Sequence, residues 1–209
     1  MLRESAVRKT RRERLREELL NAPNLITLAR IALVPLFLYL LSYENRRNCF
    51  IAALIYAACA LSDWLDGWLA RVSGQVTTLG KFLDPLSDKV IVLSALVMLV
   101  RLGRVAVWVV VVILAREFLI SGLRAIAASE GLVISASQGG KWKTSLQLCG
   151  IICLMVNYHF AIDYFFETVV TDFHAVGTVL LYLSLVPSIA SAVEYVRAFY
   201  LLDTGEQRG

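Results

Sequence analysis

The chain has 209 residues, of which 58% are hydrophobic and 18% are charged, and its mean hydropathy is +0.66. This composition excludes an ordinary soluble domain and indicates a protein that crosses a membrane several times. The net charge is +4, but acidic residues are interleaved with the basic residues near the amino terminus. That mixture favours contact with an anionic membrane surface over nucleic-acid binding.

The predicted elements, in chain order, are an amphipathic arm, six transmembrane helices and a short tail. The arm covers residues 1–20, the membrane domain covers residues 21–203 and the tail covers residues 204–209. Apolar runs predict helices at about 24–43, 48–70, 80–100, 104–127, 142–161 and 174–201, each close to the roughly 20 residues that a bilayer core requires. The expected fold class is all-α, and Pro187 is expected to kink the last helix.

The distribution of basic residues predicts the orientation of the helices. Seven lysines and arginines precede the first predicted span. Six spans with the amino terminus inside also place residues 71–81 and 128–143 in the cytoplasm, and these segments carry four more basic residues: Arg71, Lys81, Lys141 and Lys143. We therefore expect a protein of the cytoplasmic membrane whose active site faces the cytoplasm.

Four aspartates interrupt the second and third predicted helices near the turn between them: Asp63, Asp66, Asp84 and Asp88. A carboxylate at bilayer depth costs roughly 2.5–3.5 kcal/mol, and four carboxylates close together also repel one another. At about 100° per residue, positions 63, 66, 67 and 70 fall within a narrow arc of one helix. Positions 80, 84 and 88 form a similar stripe on the next helix, unless that helix begins only at Pro85. We therefore expect both helices to share a positive partner.

A divalent metal is the simplest such partner. No histidine lies near the aspartates, and carboxylate oxygens suit Mg²⁺, Mn²⁺ or Ca²⁺. Two ions bridged by carboxylates form a clamp for phosphoryl transfer. Ion pairs with Arg71, Lys81 and Lys89 are an alternative, as are two other classes of protein, a divalent-cation transporter and a membrane scaffold. A transporter would place acids near mid-bilayer with access to both sides, whereas these acids gather at one side.

The aspartates belong to a longer pattern, D-x-x-D-G-x-x-A-R, eight residues, then G-x-x-x-D-x-x-x-D, which resembles the signature of the CDP-alcohol phosphatidyltransferase family. Every fixed position of that signature is matched: Asp63, Asp66, Gly67, Ala70, Arg71, Gly80, Asp84 and Asp88. Further segments resemble the phosphatidylglycerophosphate synthases of that family: Pro23-Asn24 with Thr27 and Arg30, residues 82–89, Arg116-Glu117 with Ser121 and Arg124, and residues 141–144. Ser87 stands where the family usually has alanine, and Ala125 stands where many such synthases carry an acid.

The resemblance implies transfer of the phosphatidyl group from CDP-diacylglycerol to glycerol 3-phosphate, with CMP as the leaving group. It also implies two ions, Mg²⁺ or Mn²⁺, that are held by Asp63, Asp66, Asp84 and Asp88, and it makes Asp88 the general base. The implied nucleotide-binding residues are Asp63, Gly67, Ala70, Arg71 and Gly80. Because members of the family resemble homodimers, a homodimer is expected.

Basic residues later in the chain are candidates for binding the phosphate of the acceptor: Arg116, Arg124, Lys141 and Lys143. Arg116 follows an apolar run, where an unpaired guanidinium is costly. We do not expect its neighbour Glu117 to face it, because adjacent helix positions point apart. Asn24, Thr27 and Arg30 are further candidates for substrate contact. Inositol phosphate and phosphatidylglycerol are alternative acceptors within the family.

Overall fold

Six helices and one hairpin make up the part of the chain that the structure describes. The structure, a computed structural model, describes residues 21–73, 78–129, 139–164 and 167–203. The helices are α1 (Ala22–Ser42), α2 (Arg46–Ser73), α3 (Thr78–Arg101), α4 (Val107–Ser129), α5 (Gly139–Val156) and α6 (Phe173–Asp203). Between α5 and α6, strands β1 (His159–Tyr164) and β2 (Glu167–Asp172) pair as an antiparallel hairpin. The predicted arm at 1–20 and tail at 204–209 lie outside the described residues.

The six predicted helices are confirmed over the described residues, whereas the hairpin was not predicted. We expected a helix at 142–161, but α5 ends at Val156. Asn157 has a φ of 51°, in the left-handed region that asparagine enters more readily than most residues. The chain then leaves the helical path and forms β1, in which His159 pairs with Asp172 of β2. The prediction for residues 157–161 was wrong because the apolar composition of a segment does not indicate a turn of this kind.

Asp172 ends the hairpin and caps the helix that follows it. Its Oδ1 accepts hydrogen bonds from the backbone N–H of His174 at 2.9 Å and from that of Ala175 at 3.3 Å. These are donors in the first turn of α6 that have no partner within the helix. The hydrogen bonds from Ala175 and His174 lower the pKa of Asp172. The carboxylate therefore fixes where α6 begins.

Both halves of the aspartate pattern lie on continuous helices. Helix α3 runs from Thr78 through Pro85 to Arg101, so residues 80, 84 and 88 follow one another at one-turn intervals. The alternative start at Pro85 is therefore wrong. Helix α2 is continuous to Ser73 and carries residues 63–71 in its last part. The stripe expected from the sequence is thus compatible with the backbone on both helices.

The outer surface of the protein is strongly apolar. Among the described residues, two helices are long and apolar enough to span a membrane, over Asn24–Ser42 with a mean hydropathy of 2.1 and over Phe173–Tyr200 with 1.9. Large side chains also stand exposed on other helices, including Trp108, Val111 and Phe118 of α4. Monomeric soluble proteins rarely expose apolar surface on this scale. The surface is typical of a protein that lies in lipid.

Arg104, between α3 and α4, caps a helix from the side. It is buried, and its Nη1 donates to the backbone carbonyls of Leu154 at 3.1 Å and Met155 at 2.8 Å. These carbonyls lie in the last turn of α5, where carbonyls lack helical donors and the helix dipole favours a cation. Arg104 therefore stabilises the end of α5 just before the turn at Asn157.

Helices α5 and α6 pack with their backbones almost in contact. A Cβ atom added at Gly177 would lie 2.8 Å from both the Cγ and the backbone N of Leu154, and 2.9 Å from the carbonyl of Gly150. A Cβ atom added at Gly150 would lie 3.0 Å from the backbone N of Leu181. Glycines at such an interface allow a close approach that is common between membrane helices. This interface fixes α6 against α5.

Replacement of Gly177 by alanine should destabilise the protein, because the added methyl group overlaps the backbone of Leu154 and pushes α5 and α6 apart. We expect a loss of about 1–3 kcal/mol, seen as a lower midpoint of thermal unfolding in detergent. Gly122 of α4 is the matched control, since a Cβ atom there meets nothing within 4 Å. Gly122→Ala should leave stability unchanged or slightly improved. The same midpoint for both variants would contradict the close packing of α5 against α6.

Candidate active site

Arg30 connects the first three helices from inside the bundle. It is the only charged residue of α1, and its side chain is 1% exposed. Its Nη1 donates to Asp88 Oδ1 at 2.9 Å and to Ser87 Oγ at 3.4 Å, and its Nε donates to Ser62 Oγ at 3.3 Å. A buried guanidinium is tolerated only when its charge and its donors are matched. Helices α2 and α3 supply those partners.

The contacts of Arg30 fall at both ends of the aspartate pattern. Ser62 directly precedes Asp63, the first aspartate of the pattern, and Asp88 is the last. Although Arg30 is buried, the side chain of Asp88 is 48% exposed. The ion pair therefore holds one oxygen of Asp88 against the protein and leaves the carboxylate accessible. One cation thus ties together the two helices that carry the acids.

A cavity of about 440 Å³ borders this ion pair. Five helices, α1 to α5, contribute to its wall. Its charged, amide and hydroxyl-bearing lining residues include Arg30, Asp88, Lys89, Glu117, Thr144 and Gln147. Most of the remaining wall is apolar, with Leu86 of α3, Phe118 of α4 and Leu148 of α5 as examples. A largely apolar pocket with a few convergent polar groups is the usual form of a ligand site, and this mixture suits an amphipathic ligand.

Lys89 connects α3 to α4 at the cavity. Its Nζ donates to Ser121 Oγ at 2.7 Å and lies 5.7 Å from the centre of the Phe118 ring. The second contact is a cation–π interaction, which is worth more where water is excluded. Lys89 was one of the three basic residues, with Arg71 and Lys81, that the sequence offered as alternative ion-pair partners of the aspartates. In the structure it contacts α4, whereas Arg30 pairs with Asp88.

Glu117 binds two cations at once. Arg116 Nη1 donates to Glu117 Oε1 at 3.1 Å, and Lys143 Nζ donates to the same oxygen. Our expectation that Arg116 and Glu117 do not meet is wrong, because both long side chains reach the interface with α5 and α6. Arg116 also donates to the carbonyl of Ser188 at 3.1 Å and to Ser191 Oγ at 2.6 Å. The cluster therefore connects α4, α5 and α6.

The other predicted site residues are placed to different extents. The backbone places Asp63, Asp66, Gly67, Ala70 and Arg71 on α2, Asp84 on α3 and Lys141 on α5, and the side chains of these residues lie outside the described part of the structure. Gly80 is buried in α3. Asn24 and Thr27 are buried in α1, 2% and 0% exposed. Arg124 is exposed, and its guanidinium lies 6.0 Å from the centre of the Tyr195 ring of α6.

Several residues that build this arrangement had no predicted role. Three serines receive hydrogen bonds from basic side chains of other helices: Ser62, Ser121 and Ser191. Glu117 had been considered only as a possible partner of Arg116. The sequence did carry one weak signal for Glu117, since it is the only acidic residue of the apolar helix α4. An acid in an apolar membrane helix needs a basic partner, so its presence predicts that a basic residue of another helix packs beside it.

The donor set fits a divalent cation. Within the described residues, no group of three acidic, histidine or cysteine side chains could hold a metal, and three of the four aspartate side chains lie outside that part. The observation that supports a shared site is that Arg30 donates both to Ser62 of α2, the residue before Asp63, and to Asp88 of α3. Carboxylates on two adjacent helices provide the oxygen ligands that Mg²⁺ and Mn²⁺ prefer.

Comparison with known proteins identifies the family of the chain. The sequence profile of the CDP-alcohol phosphatidyltransferase family matches residues 20–191. The chain is 39% identical over 149 residues to the CDP-diacylglycerol–glycerol-3-phosphate 3-phosphatidyltransferase of Bacillus subtilis, covering 66% of this chain and 77% of that protein. It is 32% identical over 182 residues to the protein of that name from Haemophilus influenzae, covering 85% and 92%.

A third relative is the probable phosphatidylglycerophosphate synthase of Mycobacterium tuberculosis, which is 35% identical over 193 residues, covering 91% of this chain and 86% of that protein. The region matched by the family profile, residues 20–191, includes every helix from α1 to α5 and most of α6. It therefore contains Arg30, both aspartate helices, and the cluster at Glu117. From the extent of these matches, together with the complete aspartate pattern, the chain belongs to the CDP-alcohol phosphatidyltransferase family.

Proposed function

We propose that this enzyme transfers the phosphatidyl group of CDP-diacylglycerol to glycerol 3-phosphate and releases CMP, the reaction that the names of its relatives describe. The observation that carries the proposal is the position of Asp88. This last aspartate of the family pattern is ion-paired to buried Arg30, yet it remains exposed at a cavity of mixed polar and apolar lining. A lipid-linked nucleotide has the same mixture of apolar tails and charged phosphates.

Two divalent cations, Mg²⁺ or Mn²⁺, would be held by Asp63, Asp66, Asp84 and Asp88. When bound, they would neutralise charge on the diphosphate of the substrate and on its leaving group. Arg71 follows the first two aspartates on α2 and adds positive charge for the same phosphates. The nucleotide would bind beside Asp63, where three small residues leave space for it: Gly67, Ala70 and Gly80.

Asp88 is the proposed general base. It would accept the proton of the attacking hydroxyl of glycerol 3-phosphate as that oxygen forms a bond to the β-phosphorus. The bond from this phosphorus to the oxygen of CMP then breaks, and CMP leaves. Arg30 holds Asp88 Oδ1 in place, so the carboxylate does not have to be ordered during the reaction. Positioning of this kind supplies much of the rate enhancement in displacements at phosphorus.

The cluster at Glu117 is the proposed site for the phosphate of the acceptor. Arg116 and Lys143 contribute two positive charges against the single negative charge of Glu117, so the cluster retains a net attraction for an anion. Arg124 and Lys141 are proposed to add to it. Asn24 and Thr27 lie on α1 on the same helix as Arg30 and are proposed to support the substrate site from there.

The enzyme is proposed to cross the cytoplasmic membrane six times, with its active site and its amino terminus in the cytoplasm. Helices α1 and α6 meet the length and hydropathy expected of a span. The other helices carry the charged residues that build the site, which lowers their hydropathy without changing the apolar character of their outer faces. Residues 1–20 are proposed to lie on the membrane surface, and the active protein is proposed to be a homodimer.

The proposed reaction predicts which acceptor releases CMP. Purified enzyme in detergent or vesicles would be given CDP-diacylglycerol, Mg²⁺ and one acceptor at a time, with CMP release and the lipid product both measured. We expect turnover with glycerol 3-phosphate, because the cation cluster suits an acceptor that bears a phosphate. Turnover with inositol phosphate or phosphatidylglycerol, but not with glycerol 3-phosphate, would contradict the acceptor assignment.

Asp88→Asn should lower kcat by at least about 100-fold, the low end of the range for general-base catalysis. Asparagine preserves the shape of the side chain and can still accept from Arg30, so the variant should fold and insert normally. Asp172→Asn makes the same chemical change at the hairpin, and its turnover per folded molecule should match the wild type. Full turnover by Asp88→Asn would rule out its role as the base.

A further inference from the structure

We propose that Glu117 recognises the second hydroxyl group of the acceptor and so determines which phosphorylated alcohol the enzyme uses. The inference rests on the proposed function, since it concerns the acceptor of that reaction. Glu117 lines the same cavity as Asp88 and Arg30, and its side chain is 31% exposed. Glu117 and the proposed base therefore face the same cavity, in which a small acceptor activated by Asp88 would bind.

The two carboxylate oxygens of Glu117 are in different situations. Arg116 Nη1 and Lys143 Nζ both contact Oε1. Among the described residues, no hydrogen bond or ion pair reaches Oε2. The cations thus hold the carboxylate by one oxygen, and Oε2 is the remaining acceptor of a side chain that lines the cavity. Because the side chain of Lys143 is only 6% exposed, this arrangement is anchored from the buried side.

An ionised carboxylate can only accept hydrogen bonds, so the group that binds Oε2 must be a donor. The phosphate of the acceptor is excluded from that oxygen by charge repulsion, but it is attracted to the adjacent Arg116 and Lys143. Glycerol 3-phosphate carries two hydroxyl groups besides its phosphate. One of them attacks the β-phosphorus, and the hydroxyl on the middle carbon is left to donate to Glu117.

This placement explains how the site would discriminate. An acceptor that lacks the middle hydroxyl leaves Oε2 of Glu117 without a partner inside a partly buried cavity. Sites that hydrogen-bond a substrate hydroxyl reject analogues without it far more strongly than apolar pockets reject a missing methylene group. If Glu117 were only the counter-ion of Arg116 and Lys143, the enzyme would not distinguish such analogues through this residue.

The test compares glycerol 3-phosphate with 3-hydroxypropyl phosphate, which has the same phosphate and the same primary hydroxyl but lacks the middle hydroxyl. The quantity measured is kcat/KM for CMP release with each acceptor, and their ratio is the discrimination. We expect the wild-type enzyme to favour glycerol 3-phosphate by at least about 100-fold. In Glu117→Gln the ratio should fall by about tenfold or more, mainly because glycerol 3-phosphate reacts more slowly.

The chemistry of glutamine makes this variant selective. Arg116 and Lys143 are donors, so they favour the amide oxygen at the position of Oε1. The amide nitrogen then takes the position of Oε2 and presents a donor in place of an acceptor. Glu117→Asp keeps the charge but withdraws the carboxylate by one methylene group, and it should also lower the ratio. It provides the readout if Glu117→Gln does not fold.

Arg124→Met is the matched control, because both acceptors carry the phosphate that Arg124 is proposed to bind, and the contact of its guanidinium in the structure is the Tyr195 ring and not Glu117. It should lower kcat/KM for both acceptors by the same factor and leave the ratio unchanged. Equal losses for both acceptors in Glu117→Gln and Glu117→Asp would overturn the inference and leave the proposed function intact. Equal use of the two acceptors by the wild type would overturn it as well. Absence of CMP release with glycerol 3-phosphate in the wild type would overturn the proposed function and the inference together.

Discussion

A single buried cation organises the active end of this protein. Arg30 is the only charged residue of the first helix, and Ser62, Ser87 and Asp88 accept hydrogen bonds from its buried Nε and Nη1. Those partners lie on the two helices that carry the family aspartates. Separation of α2 and α3 would leave the buried guanidinium without these partners, which is energetically costly, so Arg30 holds the two helices together. The cavity forms where these helices meet α4 and α5.

The sequence predicted most of the helices and the family, and it did so for a physical reason. Apolar runs long enough to span a bilayer mark helices whatever their packing, and eight fixed positions identify the aspartate pattern without any structure. The hairpin at β1 and β2 was missed because it depends on one backbone conformation, the positive φ of Asn157. Hydropathy does not record a change of that kind.

The contacts of the site could be predicted only in part. Arg30 was a candidate for substrate contact, but its pairing with Asp88 depends on the way α1 packs across α2 and α3. We wrongly expected that Arg116 and Glu117 do not meet, because neighbouring positions on a helix point apart. That rule describes the directions of the Cβ atoms and not the reach of long side chains. Charges in an apolar helix predict that partners exist, whereas only the fold shows which partners they are.

The most direct measurement compares two buried arginines. Arg30→Met removes the cation between the aspartate helices, and Arg104→Met removes one that contacts the end of α5. Turnover at saturating substrates would be measured per folded molecule, with thermal unfolding in parallel. We expect both variants to lose stability, but only Arg30→Met to lose about 100-fold or more in kcat, because Arg30 contacts Asp88 whereas Arg104 contacts the end of α5. Wild-type turnover in folded Arg30→Met would contradict the central role of this ion pair.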